Sequence, residues 1–313
     1  MAHLNPADMR VLAAADGSNI SLNGALPACE ICPTAKSART AQRTEATSRT
    51  TALLELCHMD MMGPIETESS RGNLYLTSIT DDFSRRSEVY CHDLKKDPEH
   101  LVEEFITSMA VPNSLHLRRL RSDNAGEYIS AAFRRFADRS GFVVQHSAPH
   151  SQAQDGVAER YNRTLMTRVR CVLAETDLPA FLWDYICEAV AHIINLSPTR
   201  ALAGTRFCSP LHCWHGVVPD LTRLRVLGAY VFVHMEKHKK LGKRSWRGRM
   251  VGFPPDGISY RVYSAEMNRV FETRHVTFIE TPAAPLATTS DRRNTILPTT
   301  IRVMGPSPPD CTF

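Results

Sequence analysis

The sequence predicts an α/β fold, in which a mixed five-stranded sheet with helices is followed by a small β-barrel-like module. The first observation is that three strand-like runs between residues 53 and 92 precede a region where helical and strand-like patterns alternate. The second is that the pattern becomes β again from about Leu224. Over all 313 residues, 43% are hydrophobic and 22% are charged, which excludes global disorder, collagen-like repeats and coiled coil.

The predicted core contains five strands and two helices. Turn residues flank the five strand-like runs, which are LLELCHMD (53–60), NLYLTSIT (73–80), RSEVYCH (86–92), LHLRRLRS (115–122) and FVVQHSAP (142–149). The segment DPEHLVEEFITSMA predicts an amphipathic helix with Asp97 as its N-cap and Pro98 at the first helical position. SAAFRRFADRSG predicts a short helix that ends at Gly141. This order of strands and helices is typical of a mixed sheet.

Two further helices are predicted to follow the core sheet, one from about Val157 and one from Phe181 to Leu196. The β module then comprises AYVFVHM, GRMVGF, SYRVYSA and RVFETRHVTFI. We expect a short N-terminal piece, a linker, the core with its following helices, the basic β module and a disordered tail rich in Pro and Thr. Their predicted bounds are 1–36, 37–52, 53–222, 223–280 and 281–313.

The start of the sequence has no secretory signal, and no apolar stretch is long enough to span a bilayer. We therefore expect a nuclear or cytoplasmic protein that is not secreted and has no membrane partner. In a reducing compartment, its nine cysteines would be free thiols or metal ligands rather than disulfides. A formal net charge of +4 permits a nucleic-acid partner where the positive charge is locally concentrated.

Three acids stand at the ends of predicted elements. Asp60 ends the first strand, Asp123 follows the fourth, and Glu159 lies in the first turn of the long helix. Carboxylates that converge at one sheet edge repel one another unless a cation lies among them, and their oxygens suit Mg²⁺. Such a site indicates in-line phosphoryl transfer assisted by two metal ions. The alternative is that these acids are ordinary caps and helix-dipole partners.

The long helix places an acid and two arginines on one face. At about 100° per residue, Glu159, Arg163 and Arg170 share a stripe opposite the apolar side of the helix. A metal-binding acid beside arginines that contact phosphate is one interpretation. An i,i+4 ion pair between Glu159 and Arg163 without a function is the other.

The segment KHKKLGKRSWRGR is the strongest positive run and contains no acid. Because it interrupts a small β module that contains Trp246, we expect it to contact nucleic-acid phosphates. A solvated face or a nuclear localisation signal are the alternatives. Its basic residues are Lys237, Lys239, Lys240, Lys243, Arg244, Arg247 and Arg249.

The strings around these residues are specific. Asp60 lies in HMDMMGP, Asp123 in RSDNAGEY and Glu159 in DGVAERYNRTL, with 35 residues between the second and third acids. This resembles the D,D-35-E core of an integrase from a copia-type retrotransposon Pol polyprotein. The resemblance covers about residues 1 to 280 and extends to CEICPTAK, ITDDFSR, INLSPTRALAGTRFCSPLHCWHG, LRVLGAYVFVH, RGRMVGF and RHVTFIE.

The resemblance implies an RNase H-like core and polynucleotidyl transfer, in which a 3′-hydroxyl of element DNA attacks a target phosphodiester. By the same resemblance, Asp60 would bind both of two Mg²⁺ or Mn²⁺ ions, and Asp123 and Glu159 would each complete one site. Joining two element ends needs two active sites, so a homo-oligomer on DNA is expected. The sequence departs from the family at Asp155, where Asn is usual, and at Ala125, where Gly is common. Asp81 and Asp82 match a family turn whose role is structural.

A zinc site is the second metal prediction. Cys29 and Cys32 form a C-x2-C pair, and His3 matches the second of two histidines that precede such a pair in the family. The position of the first histidine would fall before Met1, so we expect a shortened N-terminal piece with a three-ligand, open site. Free thiols are the alternative for this pair. Buried thiols are expected for the remaining cysteines.

The leading hypothesis is a DNA-integrating enzyme. A catalytically inert DNA-binding relict of a retrotransposon polyprotein is the alternative from a different class. A nuclease of the same fold, in which water attacks instead of a DNA 3′-hydroxyl, is a third hypothesis that the sequence does not separate from the first.

Overall fold

The computed structural model describes residues 6–15, 18, 20–22, 50–94, 98–122, 130–146, 152–202, 208–236, 240–279 and 302–303. The α-helices in these ranges are α1 (Pro6–Ala13), α2 (Pro98–Phe105), α3 (Ala131–Ser140), α4 (Gln152–Thr176), α5 (Trp183–Leu196) and α6 (Pro210–His215). The strands are β1 (Ile20–Ser21), β2 (Cys57–Met62), β3 (Tyr75–Asp81), β4 (Ser87–His92), β5 (Arg119–Ser122), β6 (Val143–His146), β7 (Tyr230–His234), β8 (Ser245–Gly252), β9 (Tyr260–Ser264), β10 (Arg269–Thr273), β11 (Val276–Ile279) and β12 (Arg302–Val303).

The core sheet has the strand order β4-β3-β2-β5-β6. The pairs β2–β3 and β3–β4 are antiparallel, whereas β2–β5 and β5–β6 are parallel, so the predicted mixed five-stranded sheet is confirmed. Successive side chains of a strand point to opposite faces. Accordingly, Leu76 of β3 packs with α4 and α5 on one face, and Ile79 packs with α2 and α3 on the other.

The helices of the core follow their capping signals. The Oγ of Ser130 accepts a hydrogen bond from the Phe133 N–H at the start of α3, and α3 ends at Gly141 with φ 78°. The helix α2 passes into one π-helical turn at Ile106–Ala110, which completes the predicted segment. Asp97, the predicted N-cap of α2, lies outside the described residues.

The long helix α4 begins at Gln152, five residues before the predicted start at Val157. The run before Val157 is polar and contains Gly156, and such residues are typical of loops. Gln and Ala are nevertheless good helix formers, and they extend the helix by more than one turn. None of the described helices combines the length and the apolar character that a membrane span requires.

A second sheet forms the C-terminal module, with the antiparallel order β10-β9-β8-β7-β11. The run RVFETRHVTFI was predicted as one strand, and this was wrong. It divides at Arg274 and His275 into β10, which pairs with β9, and β11, which pairs with β7. The His275 N–H bonds to the Thr273 Oγ1 at 3.2 Å, which stabilises the break between the two strands.

The end of α4 touches the module. Gly228 has φ 78°, and a Cβ placed on it would lie 2.1 Å from the Cγ2 of Thr176, the last residue of α4, so the close approach requires glycine. The Arg249 guanidinium of β8 donates to the carbonyl oxygens of Gly228, at 2.8 Å, and Thr176. A cation at this position also stabilises the negative end of the helix dipole.

An ionic network joins the core to the module through α5. Arg71, between β2 and β3, donates to Asp184 at 2.6 Å and to Glu188 at 2.5 Å. Glu188 also accepts from Arg261 of β9, which bonds to Glu272 of β10 at 2.8 Å. Although burial opposes it, the carboxylates of Glu188 and Asp184 raise the pKa of Arg71. Three elements distant in sequence are therefore held by one set of charge-assisted hydrogen bonds.

A small third cluster forms around Leu12 of α1, which packs against Leu196 and Leu221. The strand β1 pairs with β12 through Ile20–Ser21 and Arg302–Val303. Arg302 and Val303 belong to the predicted tail over 281–313, and the disorder of that tail stays a prediction.

Candidate functional site

Asp60 lies in β2, near the edge of the sheet where the parallel strands β2 and β5 end. Its Oδ2 accepts a hydrogen bond from the Asn162 Nδ2 at 2.9 Å. The strand β2 pairs with β5 at an offset of 63 positions, as in Cys57 with Leu120. The same offset separates Asp60 from Asp123, which directly follows Ser122 at the end of β5. Asp123 itself lies outside the described residues.

Glu159 lies on the exposed face of α4, as the helical periodicity predicted. Arg163 and Arg170 are exposed as well, whereas Tyr161 and Leu165 are buried. The Arg163 Nη2 donates to the Glu159 Oε1 at 2.7 Å, and both side chains are 55% exposed. The i,i+4 ion pair that the sequence analysis gave as an alternative is therefore present, but at this exposure it contributes at most about 0.5 kcal/mol.

Asn162 is the residue of this site that the sequence analysis missed. It is 2% exposed and lies one helical turn after Glu159, so its bond to Asp60 fastens this part of α4 to β2. Its Oδ1 is buried and has no hydrogen-bond partner among the described residues. A buried acceptor without a donor is costly. The signal in the sequence was its spacing of three residues from Glu159.

The neighbouring acids Asp81 and Asp82 have structural contacts, as predicted. Asp81 accepts from the Leu54 N–H at 2.9 Å and from the N–H and hydroxyl of Ser84, and burial raises its pKa. Asp82 accepts from Thr50 and from the His58 Nε2, at 3.1 Å. Although burial opposes it, these bonds and Arg85 hold the pKa of Asp82 well below its usual range. Both carboxylates therefore fix the turn after β3.

The described residues contain no group of three or more His, Cys, Asp or Glu side chains arranged to hold a metal ion. The predicted magnesium ligands Asp60 and Glu159 are described, and Asp123 is not. The predicted zinc ligands His3, Cys29 and Cys32 lie outside the described ranges. Both metal sites therefore stay predictions.

The basic segment of the module surrounds the hairpin between β7 and β8. Lys237 and Lys239 lie outside the described residues. The basic residues of the segment that are described and exposed are Lys240, Lys243, Arg244 and Arg247.

Aromatic rings accompany these cations on one face of the sheet. Tyr230 and Phe232 point to the exposed side of β7 and pair in register with Arg249 and Arg247 of β8. The guanidinium of Arg247 lies 3.6 Å from the centre of the Tyr230 ring, and that of Arg249 lies 4.0 Å from it. Arginines interleaved with aromatic rings are typical of nucleic-acid-binding surfaces. Two donors of Arg249 are already bonded to backbone carbonyls, so its contact with nucleic acid stays a prediction.

Comparison with protein families assigns the two sheets. Residues 51–152, which contain the core sheet up to β6, match the family described as Integrase core domain. The chain contains an integrase core domain. Residues 228–292 match the Retroviral polymerase SH3-like domain, which accounts for the antiparallel module after the integrase core. The RNase H-like integrase core and the small β module expected from the sequence are both confirmed.

Relatives of this integrase region occur in plant and yeast elements. The chain is 29% identical over 310 residues to the Retrovirus-related Pol polyprotein from transposon TNT 1-94 of Nicotiana tabacum, which covers 98% of this chain and 23% of the relative. It is 26% identical over 254 residues to the polyprotein from transposon RE2 of Arabidopsis thaliana, covering 75% of this chain and 17% of the relative.

The Transposon Ty1-DR6 Gag-Pol polyprotein of Saccharomyces cerevisiae is 29% identical over 229 residues, covering 71% of this chain and 13% of the relative. The chain thus spans less than a quarter of the length of each of these relatives. The predicted resemblance to the integrase region of copia-type Pol polyproteins is confirmed.

A chain of the simian T-cell lymphotropic virus intasome, solved with PP2A regulatory subunit B56 gamma, aligns with a TM-score of 0.44 and 14% identity. The alignment covers 82% of this chain and 88% of that chain.

Proposed function

We propose that this chain is a retrotransposon integrase that inserts element DNA into target DNA by strand transfer. The observation that carries the proposal is the bond from Asn162 to Asp60, within an integrase core domain. It fastens the turn of α4 that bears Glu159 to the strand that bears Asp60. Asp123 follows the strand that pairs with β2, so all three candidate acids belong to adjoining elements of one sheet edge.

The donor set fits a divalent cation. Asp60, Asp123 and Glu159 offer hard carboxylate oxygens, and the unpartnered Oδ1 of Asn162 adds a buried acceptor beside Asp60. These three acids would hold Mg²⁺ or Mn²⁺, which supplies activation of the attacking oxygen and stabilisation of the leaving oxygen. Asn162 orients the carboxylate of Asp60 by holding one of its oxygens.

DNA is the proposed partner. Arg163 and Arg170 share the exposed face of α4 with Glu159, so they would contact phosphates next to the reacting bond. The exposed cations of the module, among them Arg247, would extend this contact along the duplex. A homo-oligomer would bring two such sites to the two element ends. Zinc binding by His3, Cys29 and Cys32 and a nuclear or cytoplasmic location complete the proposal.

A strand-transfer and nicking assay with Mg²⁺ or Mn²⁺ tests the proposal. We expect product from the parent chain, none from Glu159→Gln, and DNA binding by both. Glu103→Gln, an exposed acid of α2, is the matched control and should keep activity. Absence of product from every chain, with DNA still bound, would instead establish an inert DNA-binding protein. Product from Glu159→Gln at the parent's rate would contradict the assignment of this site.

A further inference from the structure

A cavity of about 630 Å³ lies beside α4, on the side away from Glu159. Arg168, which lines it, is nine residues after Glu159, which at about 100° per residue places the two side chains on opposite faces of the helix. The segment from Ser197 to Ala201 closes another side. It belongs to the string INLSPTRALAGTRF, which the proposed integrase chemistry does not use.

The lining of this cavity is strongly positive. It contains Arg85, Arg160, Arg168 and Arg200, and Asp8 is the one acid among the described lining residues. Arg85 is neutralised by Asp82, at 3.0 Å. In the described part of the chain, Arg160 and Arg200 have no ion-pair partner. More positive charge therefore faces this space than the described residues compensate.

Arg168 has the least favourable surroundings of the four. Its Nη1 is buried and has no hydrogen-bond partner among the described residues. Burial lowers its pKa, and the attraction of Asp8 only partly opposes this effect. A buried guanidinium donor without an acceptor costs free energy, and an anion in the cavity would supply the acceptor.

The chemistry of the lining suits a ligand that carries phosphate groups. The guanidinium fork matches the spacing of phosphate oxygens and forms bidentate bonds with them. Arg160 and Arg168 are eight residues apart on α4, which is about 12 Å along the helix axis, a span suited to more than one phosphate group. The volume lies in the range of ordinary small-molecule sites, roughly 300–1,000 Å³.

We propose that this arginine-lined cavity is a binding site for a ligand that carries several phosphate groups, separate from the integrase site. The phosphates belong either to a free polyphosphate compound or to the backbone of bound DNA. The two sources share the same chemistry and are separated by the experiment below.

The experiment titrates sodium tripolyphosphate into the full chain at fixed ionic strength, by calorimetry and by thermal shift. We expect saturable binding and a raised melting temperature for the parent chain. Binding should become about tenfold or more weaker in Arg168→Met, which keeps the aliphatic packing, and in Arg200→Gln, an exposed change that spares the core. Arg139→Gln, an exposed arginine of α3, is the control and should bind as the parent does.

A parallel measurement of the affinity for a short DNA duplex identifies the source of the phosphates. Weaker duplex binding in Arg200→Gln but not in Arg139→Gln assigns them to DNA, and unchanged duplex binding assigns them to a free polyphosphate ligand. The proposal would be overturned if the parent chain, Arg168→Met and Arg200→Gln all bound tripolyphosphate with the same affinity and also bound the duplex with the same affinity. Glu159→Gln should bind tripolyphosphate with the affinity of the parent chain. Failure of the proposed integrase site and failure of the proposed phosphate site are therefore distinguished by different variants.

Discussion

Asn162 shows how a single buried amide organises the candidate active site. It donates to Asp60 and lies one turn from Glu159, so both acids depend on it for their relative placement. The sequence indicated Asp60 and Glu159 through their spacing and surrounding strings. It did not single out Asn162, because a spacing of three residues from Glu159 gives no sign of the strand that the amide faces. Pairing across the fold, rather than the local pattern, decides its role.

Removal of this amide should reduce strand transfer more than DNA binding. In Asn162→Ala, we expect a loss of about 1–3 kcal/mol in the free energy of unfolding, because Asp60 loses a buried hydrogen bond. The Mg²⁺ concentration for half-maximal activity should rise at the same time, which a purely structural loss would not produce. Asn113→Ala, which removes an amide bonded to the Met109 carbonyl, is the control. Unaltered metal dependence in Asn162→Ala would refute this positioning role.

The pKa of Asp82 leads to a pH-dependent contribution to stability. Its pKa in the folded state is below the ordinary 3.8, so the ionised carboxylate stabilises the fold fully above that pH and loses its effect as the pH falls through the lower value. Asp82→Asn should therefore be less stable than the parent at pH 7, and the gap should narrow below about pH 4. Urea denaturation over a pH series measures this difference. Asp138→Asn changes an exposed acid of α3, and its difference in stability from the parent should not depend on pH in this way. A difference in stability between Asp82→Asn and the parent that stayed constant with pH would contradict the argument.

Among the elements, the exposed and buried faces of α4 were predicted correctly, whereas its first residue was not. The 3.6-residue period placed Glu159, Arg163 and Arg170 on the exposed side, since burial of the opposite apolar stripe leaves no other orientation. The start at Gln152 was missed because a glycine inside a helix gives the same signal as a glycine in a loop. The division between β10 and β11 was missed because Arg274 and His275 are not turn formers.

The exposed stripe of α4 predicts a specific salt dependence of DNA binding. Arg163→Gln removes one cation that would contact a phosphate, so binding should weaken, and the slope of log K against log salt concentration should decrease in magnitude by about 1. Fluorescence anisotropy over a salt series measures the slope. Arg139→Gln should keep the slope of the parent chain. Equal slopes for all three proteins would show that this face of α4 does not contact DNA.

Over the whole molecule, the core and the module depend on the ionic network around α5. Glu188 bonds to Arg71 of the core and to Arg261 of the module, so it connects the core to the module. Its role could not be predicted from the sequence, because Arg71 and Glu188 are 117 positions apart and no local pattern connects them. The separate sheets were predictable from strand patterns, whereas the contact between them was not.

Neutralising Glu188 should therefore destabilise the core and the module together. In Glu188→Gln, one amide replaces a carboxylate that serves two guanidinium groups, and we expect a loss of about 3 kcal/mol in the free energy of unfolding. Glu272→Gln removes an acid that is 55% exposed, and its effect should stay below about 1 kcal/mol. Chemical denaturation followed by tryptophan fluorescence compares the two variants. Equal losses of unfolding free energy in the two variants would show that Glu188 does not connect the core to the module.

The attachment of α4 at both ends limits how its sequence can vary in length. Asn162 fixes the helix to β2, and fourteen residues later Thr176 is held by Arg249 and packed against Gly228. One inserted or deleted residue between these points would turn one attachment by about 100° relative to the other and shift it by about 1.5 Å. Both attachments could not then form together. Substitutions on the exposed face of α4 therefore leave both attachments in place, whereas the number of residues between Asn162 and Thr176 is fixed.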